Sequence, residues 1–124
     1  MAYTEITPTS VSLDTAFTVG GTSGTAINAS NTMEIPYPKQ GRLLIIILSS
    51  NNATQPIFAA GYGVASGLGA LEPDAITSGV LKGFVLSSDR LVNKVGSGTN
   101  AFKGILSVTW ETSSAGYLAA YYLP

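Results

Sequence analysis

Apolar residues run without interruption at one place in this chain, Leu43-Leu44-Ile45-Ile46-Ile47-Leu48, bracketed by Arg42 and by Ser49-Ser50. Alternate side chains of a strand point to opposite sides, so six apolar residues in succession predict a strand covered on both faces. Three adjacent β-branched isoleucines and a stop at Ser49-Ser50-Asn51-Asn52 favour a short strand over a helix. The segment is expected at the centre of a sheet, with a layer on each side.

The rest of the pattern is strand and turn. Residues 2–19 alternate weakly, with Tyr3, Glu5 and Thr7 on one side and Thr4 and Ile6 on the other, and Pro8 interrupts them. Because proline cannot donate to a ladder, this stretch predicts an extended N-terminal arm or an edge strand. As an arm it makes Tyr3, Glu5 and Ile6 candidates for contact with a neighbouring subunit. Gly20–Gly24 and Asn28–Asn31 read as loop, leading to a short strand at Thr32–Ile35. Pro36-Tyr37-Pro38-Lys39-Gln40-Gly41 then turns the chain straight into the central strand, a hairpin-like step.

A strand is expected at Pro56–Ala60, followed by a structured loop over Gly61–Leu71. Its glycines at 61, 63, 67 and 69 oppose a helix by ~1 kcal/mol each. Strands follow at Ile76–Thr77, Gly79–Leu86 and Asp89–Lys94, then a loop at Gly96–Asn100. In Phe102–Trp110, Leu106, Val108 and Trp110 share one face while Ile105, Ser107 and Thr109 share the other. Gly116–Leu123 is the final strand. About seven or eight short strands with turns between them predict an all-β domain spanning 1–124, an antiparallel β-sandwich or small β-barrel.

Composition sharpens this picture in one respect. Charged residues make up 10% of the chain, against ~25% in ordinary globular proteins, and Gly, Ser, Thr, Ala and Asn fill the deficit. A surface so poor in charge gives little protection against association, which points towards a protein that lives packed against other subunits. The net charge is −1 and the six Lys and Arg stand singly, so the footprint of nucleic-acid binding is missing. The first five residues lack the pattern of a signal peptide, and the apolar run is far shorter than the ~20 residues of a membrane-spanning helix. A soluble protein made in the cytoplasm, with no membrane partner, is the expectation.

Reactive side chains are scarce. There is no Cys and no His, which removes the thiolate, the disulfide and the usual general base near neutrality. Of the seven carboxylates, Glu72 and Asp74 lie closest in sequence, flanking Pro73. A solvated loop is the plainest reading of that pair; a calcium ligand set ranks next, and a glycosidase pair would need a chance convergence. Gly61-Tyr62-Gly63-Val64-Ala65-Ser66-Gly67 departs from the dinucleotide fingerprint by one place. No cofactor, no metal and no catalysis are expected. Asn28-Ala29-Ser30 and Asn52-Ala53-Thr54 fit the glycosylation triplet, which arises often by chance in such a chain. Among the aromatics, Phe84 and Trp110 read as core, while Tyr3, Tyr37 and Tyr62 lie in an arm or in loops where an amphipathic ring suits an interface.

The second half of the chain carries a likeness. Phe58-Ala59-Ala60-Gly61, Ser66-Gly67-Leu68-Gly69-Ala70-Leu71, the strand Gly83-Phe84-Val85-Leu86, the turn Ser87-Ser88-Asp89-Arg90-Leu91 and the ending Ala119-Ala120-Tyr121-Tyr122-Leu123-Pro124 stand in a distinctive order. In order and spacing over residues 42–124, they resemble small β-rich virion proteins of tailed phages, the head decoration or cement proteins. Ala70 stands where such proteins carry an acid, and Val85-Leu86-Ser87-Ser88 replaces a Gly-Pro-Leu-Glu-like turn. The resemblance implies a non-enzymatic protein on the capsid surface. Its partner would be the major capsid protein lattice, often bound as a homotrimer that braces the shell against DNA pressure. A tail, baseplate or head-fibre component is the alternative within the virion. A carbohydrate-binding module with Tyr37, Tyr62 or Trp110 as stacking platform is the alternative outside it.

Overall fold

The computed structural model describes residues 3–19, 22, 24–37, 42–59, 69–86, 91 and 104–124. Tyr62, most of the glycine-rich loop, and the strand expected at 89–94 apart from Leu91 lie outside the described residues. Nine strands form among the described residues, and no helix. They are β1 (Tyr3–Glu5), β2 (Thr9–Ser10), β3 (Thr25–Ala26), β4 (Thr32–Pro36), β5 (Arg42–Ser49), β6 (Pro56–Phe58), β7 (Leu81–Leu86), β8 (Ile105–Trp110) and β9 (Gly116–Leu123). Sheet A runs β1-β4-β8-β6 and sheet B runs β2-β9-β5-β7, with β3 joining β9 beside β2. Neither sheet closes on itself, so the sandwich is the fold and the barrel is not.

The core lies between the two sheets and follows from strand alternation. Sheet A contributes Met33, Ile35, Phe58, Leu106, Val108 and Trp110; sheet B contributes Leu43, Ile45, Ile47, Leu86, Leu118 and Ala120. The face assigned to Leu106, Val108 and Trp110 from the sequence is the buried one. Phe58 of β6 meets Phe84 of β7 edge to face, with centroids 5.2 Å apart, and ties one sheet to the other.

Strands β1 and β2 are edge strands of the chain's own sheets. Strand β1 pairs in parallel with β4, and β2 pairs in parallel with β9; the pairings among β4 to β9 are all antiparallel. Between β1 and β2 the chain crosses from sheet A to sheet B. At the crossing Ile6 turns inward, is 5% exposed, and joins the core.

The Pro36–Gly41 connection is not a hairpin. Strand β4 pairs with β8 in sheet A, whereas β5 pairs with β9 and β7 in sheet B, so the connection crosses the sandwich. Tyr37 N–H still donates to Gly104 O (2.9 Å), which keeps the chain on β8 through that residue. Two prolines and six residues suit a change of sheet better than a tight reversal.

One end of the sandwich is fastened by buried polar groups. Thr54 is fully buried; its hydroxyl donates to Ala115 O (2.7 Å) and accepts from Ala115 N–H (3.1 Å). Asn51 Nδ2 donates to Ser113 O (2.7 Å), and Ser49 Oγ reaches the carbonyls of Asn51 and Ile76. Ser114 Oγ accepts from Gln55 N–H (3.1 Å) and donates to Glu111 O (2.7 Å). Three connections are thereby held together with their buried hydroxyls satisfied. The two glycosylation-like asparagines have structural partners too, since Asn28 Oδ1 accepts from Ser30 N–H and Asn52 Oδ1 from Ser78 N–H.

Candidate interaction face

Strand β5 is central in sheet B, as its sequence predicts, but only one of its faces is buried in the core. Leu43, Ile45 and Ile47 are fully buried, whereas Leu44, Ile46 and Leu48 on the other face are half-buried. Register brings apolar neighbours beside each of them. Across β7, β5 and β9 the outward rows are Leu81-Leu48-Tyr117, Gly83-Ile46-Ala119 and Val85-Leu44-Tyr121. Nine positions on three strands carry no charge. Arg42 stands one row beyond, paired with Leu123, and marks a polar margin.

The expectation of a covering layer on both sides of β5 therefore fails on this face. Among the described residues the cover is partial and comes from the segment after β2. Phe17 lies on Tyr121 with ring centroids 5.4 Å apart, and Tyr121 Oη donates to Thr18 O (3.1 Å). Tyr121 is buried in consequence. The far side stays open, with Leu81 52% and Val85 56% exposed. At roughly 200 Å² for a large side chain left fully open, the grid and Phe17 present on the order of 500 Å² of apolar surface. A typical monomer's largest apolar patch is about 300–600 Å², often itself functional, so this one lies in the upper part of that range.

A cavity of about 560 Å³ adjoins this face where β2 and β3 leave a gap along the edge of β9. Thr9, Ser10, Phe17, Thr25, Ala119 and Tyr121 are among the residues that line it, and none of its lining is charged.

The residues singled out from the sequence are scattered. Tyr3 and Glu5 lie on the outer face of sheet A, exposed, with Glu5 in register beside the buried Glu34. Ile6 is taken up by the core. Tyr37 is half-buried against the core, and burial pushes its phenol up to about 12. Trp110 is 6% exposed, so neither its ring nor that of Tyr37 offers an open platform for a sugar. Glu72 and Asp74 are both exposed, and the described residues hold no group of three or more acids that could share a metal ion. The apolar grid was missed, although its signal is present. Strands β7 and β9 carry apolar residues on both parities beside the uninterrupted β5.

Tyr37 gives a test of the core near this site. Its Oη is buried without a hydrogen-bond partner among the described residues. The raised phenol means that folding favours the neutral form, so its contribution to stability is complete below the ordinary value near 10. That contribution is lost as the pH climbs through about 12. Chemical denaturation across this range is expected to show stability falling with pH, less steeply in Tyr37→Phe. At neutral pH the same substitution leaves stability within ~0.5 kcal/mol, because it removes a buried hydroxyl that has nothing to bond.

Comparison of the chain with protein-family models, with curated proteins and with solved structures finds no match.

Proposed function

We propose that this protein is a non-enzymatic structural component that works by fitting against a larger assembly, as a decoration protein on the head of a tailed phage. The observation that carries the reading is the uncharged, solvent-facing grid on sheet B, mounted on a rigid sandwich. A charge-poor surface and the order of segments over residues 42–124 support it. Burial of such a face at ~25 cal/mol per Å² contributes roughly 12 kcal/mol before costs, which is the size of the 4–15 kcal/mol lost on immobilising a partner. A single contact is therefore weak. Many symmetric contacts on a lattice, made by an oligomer that engages several sites together, turn it into firm reinforcement without chemistry.

Incubation with expanded, undecorated phage heads tests the reading. Co-sedimentation at micromolar concentration, with heads that then resist heat or chelator better, is the expected result. Heads that pellet without the protein would count decisively against it. Labelled electron microscopy of intact particles separates the head from a tail, baseplate or fibre position.

A further inference from the structure

We infer that the outer face of sheet B is a self-association surface whose occupant is the same face of a second copy of this chain. The inference deepens the assignment above: the grid joins copies of the chain into the oligomer that engages the lattice, the head contact itself falling to surface outside the grid, and it rests on that assignment only for its biological setting.

Three features select a second copy. The first is charge. A contact between like faces must match itself, and a charged face brings equal charges together at a symmetry axis. All nine outward positions are neutral, and the whole chain carries a net charge of −1, so two copies meet without repulsion.

The second is relief. In the middle row Ile46 sits between Gly83 and Ala119, while the rows on either side hold Leu81, Leu48 and Tyr117, and Val85, Leu44 and the buried Tyr121, over which Phe17 supplies the outer surface. The face is thus two ridges along a furrow. A two-fold axis along the rows, midway between the furrow and the Val85 row, seats the Val85 ridge of each copy in the other's furrow and brings the two Val85 positions side by side, as facing sheets interdigitate.

The third is area. Apolar atoms supply ~65% of homodimer interfaces, so on the order of 500 Å² of apolar surface corresponds to a contact of about 750 Å² a side. Stable interfaces bury ~800 Å² a side. Arg42 at the end of the grid and the hydroxyls of the N-terminal segment supply the polar rim.

Sedimentation velocity of the full chain over a concentration series, without heads, tests the contact. The wild-type protein is expected to shift from monomer to dimer as concentration rises. Val85→Glu and Val85→Lys, each alone, place an unpaired charge in the contact and are expected to weaken association ~100-fold or more. Val85 is open to solvent, so both variants keep the circular dichroism of the wild type, and Thr112→Glu, in an exposed turn off the grid, changes nothing. An equal mixture of the Glu and Lys variants is expected to recover association, because the two charges then face each other across the axis. A wild-type chain that stays monomeric at every concentration overturns the inference. So does undiminished association in the Val85 variants, or a mixture no tighter than either variant alone. Self-association with no head binding would keep this contact and discard the phage assignment.

Discussion

Gly116→Val is expected to abolish cooperative folding under conditions where the wild type is fully native. Gly116 opens β9 with φ +139°, a conformation that residues with a side chain rarely adopt. A Cβ placed there would enter the Leu48 carbonyl oxygen and press on the Ser49 backbone. Neither group can retreat, since Gly116 is in register with Ser49 and the whole length of β5 is paired to β9. Strain and overlap together exceed ~4 kcal/mol, a large part of the ~5–15 kcal/mol that holds a domain. Urea titration followed by circular dichroism reads the effect. Gly79→Ala is the informative control, because Gly79 has φ +81° but nothing within 4 Å of the added atom. It is expected to cost only ~1 kcal/mol, the backbone part alone.

Phe58→Ala is expected to lower the unfolding free energy by ~3–5 kcal/mol with little change in denaturant slope. The ring is fully buried and touches Phe84 from the opposite sheet at 5.2 Å. Its backbone is tied on both sides, pairing with Val108 and bonding Leu71 in both directions at 2.9 Å. Backbone held in this way cannot collapse into the space left by the ring, which puts the cost towards the upper end of the range. Phe58→Leu restores most of the volume but none of the edge-to-face geometry, and is expected to recover all but ~1–2 kcal/mol. A substitution of Phe58 that cost less than ~1 kcal/mol would mean that the two sheets are not joined at this point.

How much of this was legible beforehand depended on how local the signal was. The extents of β5 and β9 and the inward face of β8 are written in uninterrupted or alternating apolar residues, which need no partner to be recognised. Strands β2 and β3 have two residues each, too few to carry a period, and exist only because the edge of β9 is there to receive them. The Pro36–Gly41 link reads the same whether it returns to its own sheet or crosses to the other; pairing with β8 and β9, some 70 residues away, decides it. Ser49, Thr54 and Ser114 look like loop hydroxyls and become buried fastenings only when three turns converge. The open grid was obscured by a sound rule applied too far. Apolar residues on both faces of a strand do demand cover, but the cover need not come from the same chain.

The parallel docking of β1 and β2 sets a temporal order on the folding of this molecule. During synthesis β2 emerges well before the seat it needs, Tyr121-Tyr122, which lies more than a hundred residues later. Closing so long a loop early brings little return against its entropy. The segment carrying β2 is therefore expected to wait in water while the rest of sheet B assembles, and to cross between the sheets and seal the sandwich late.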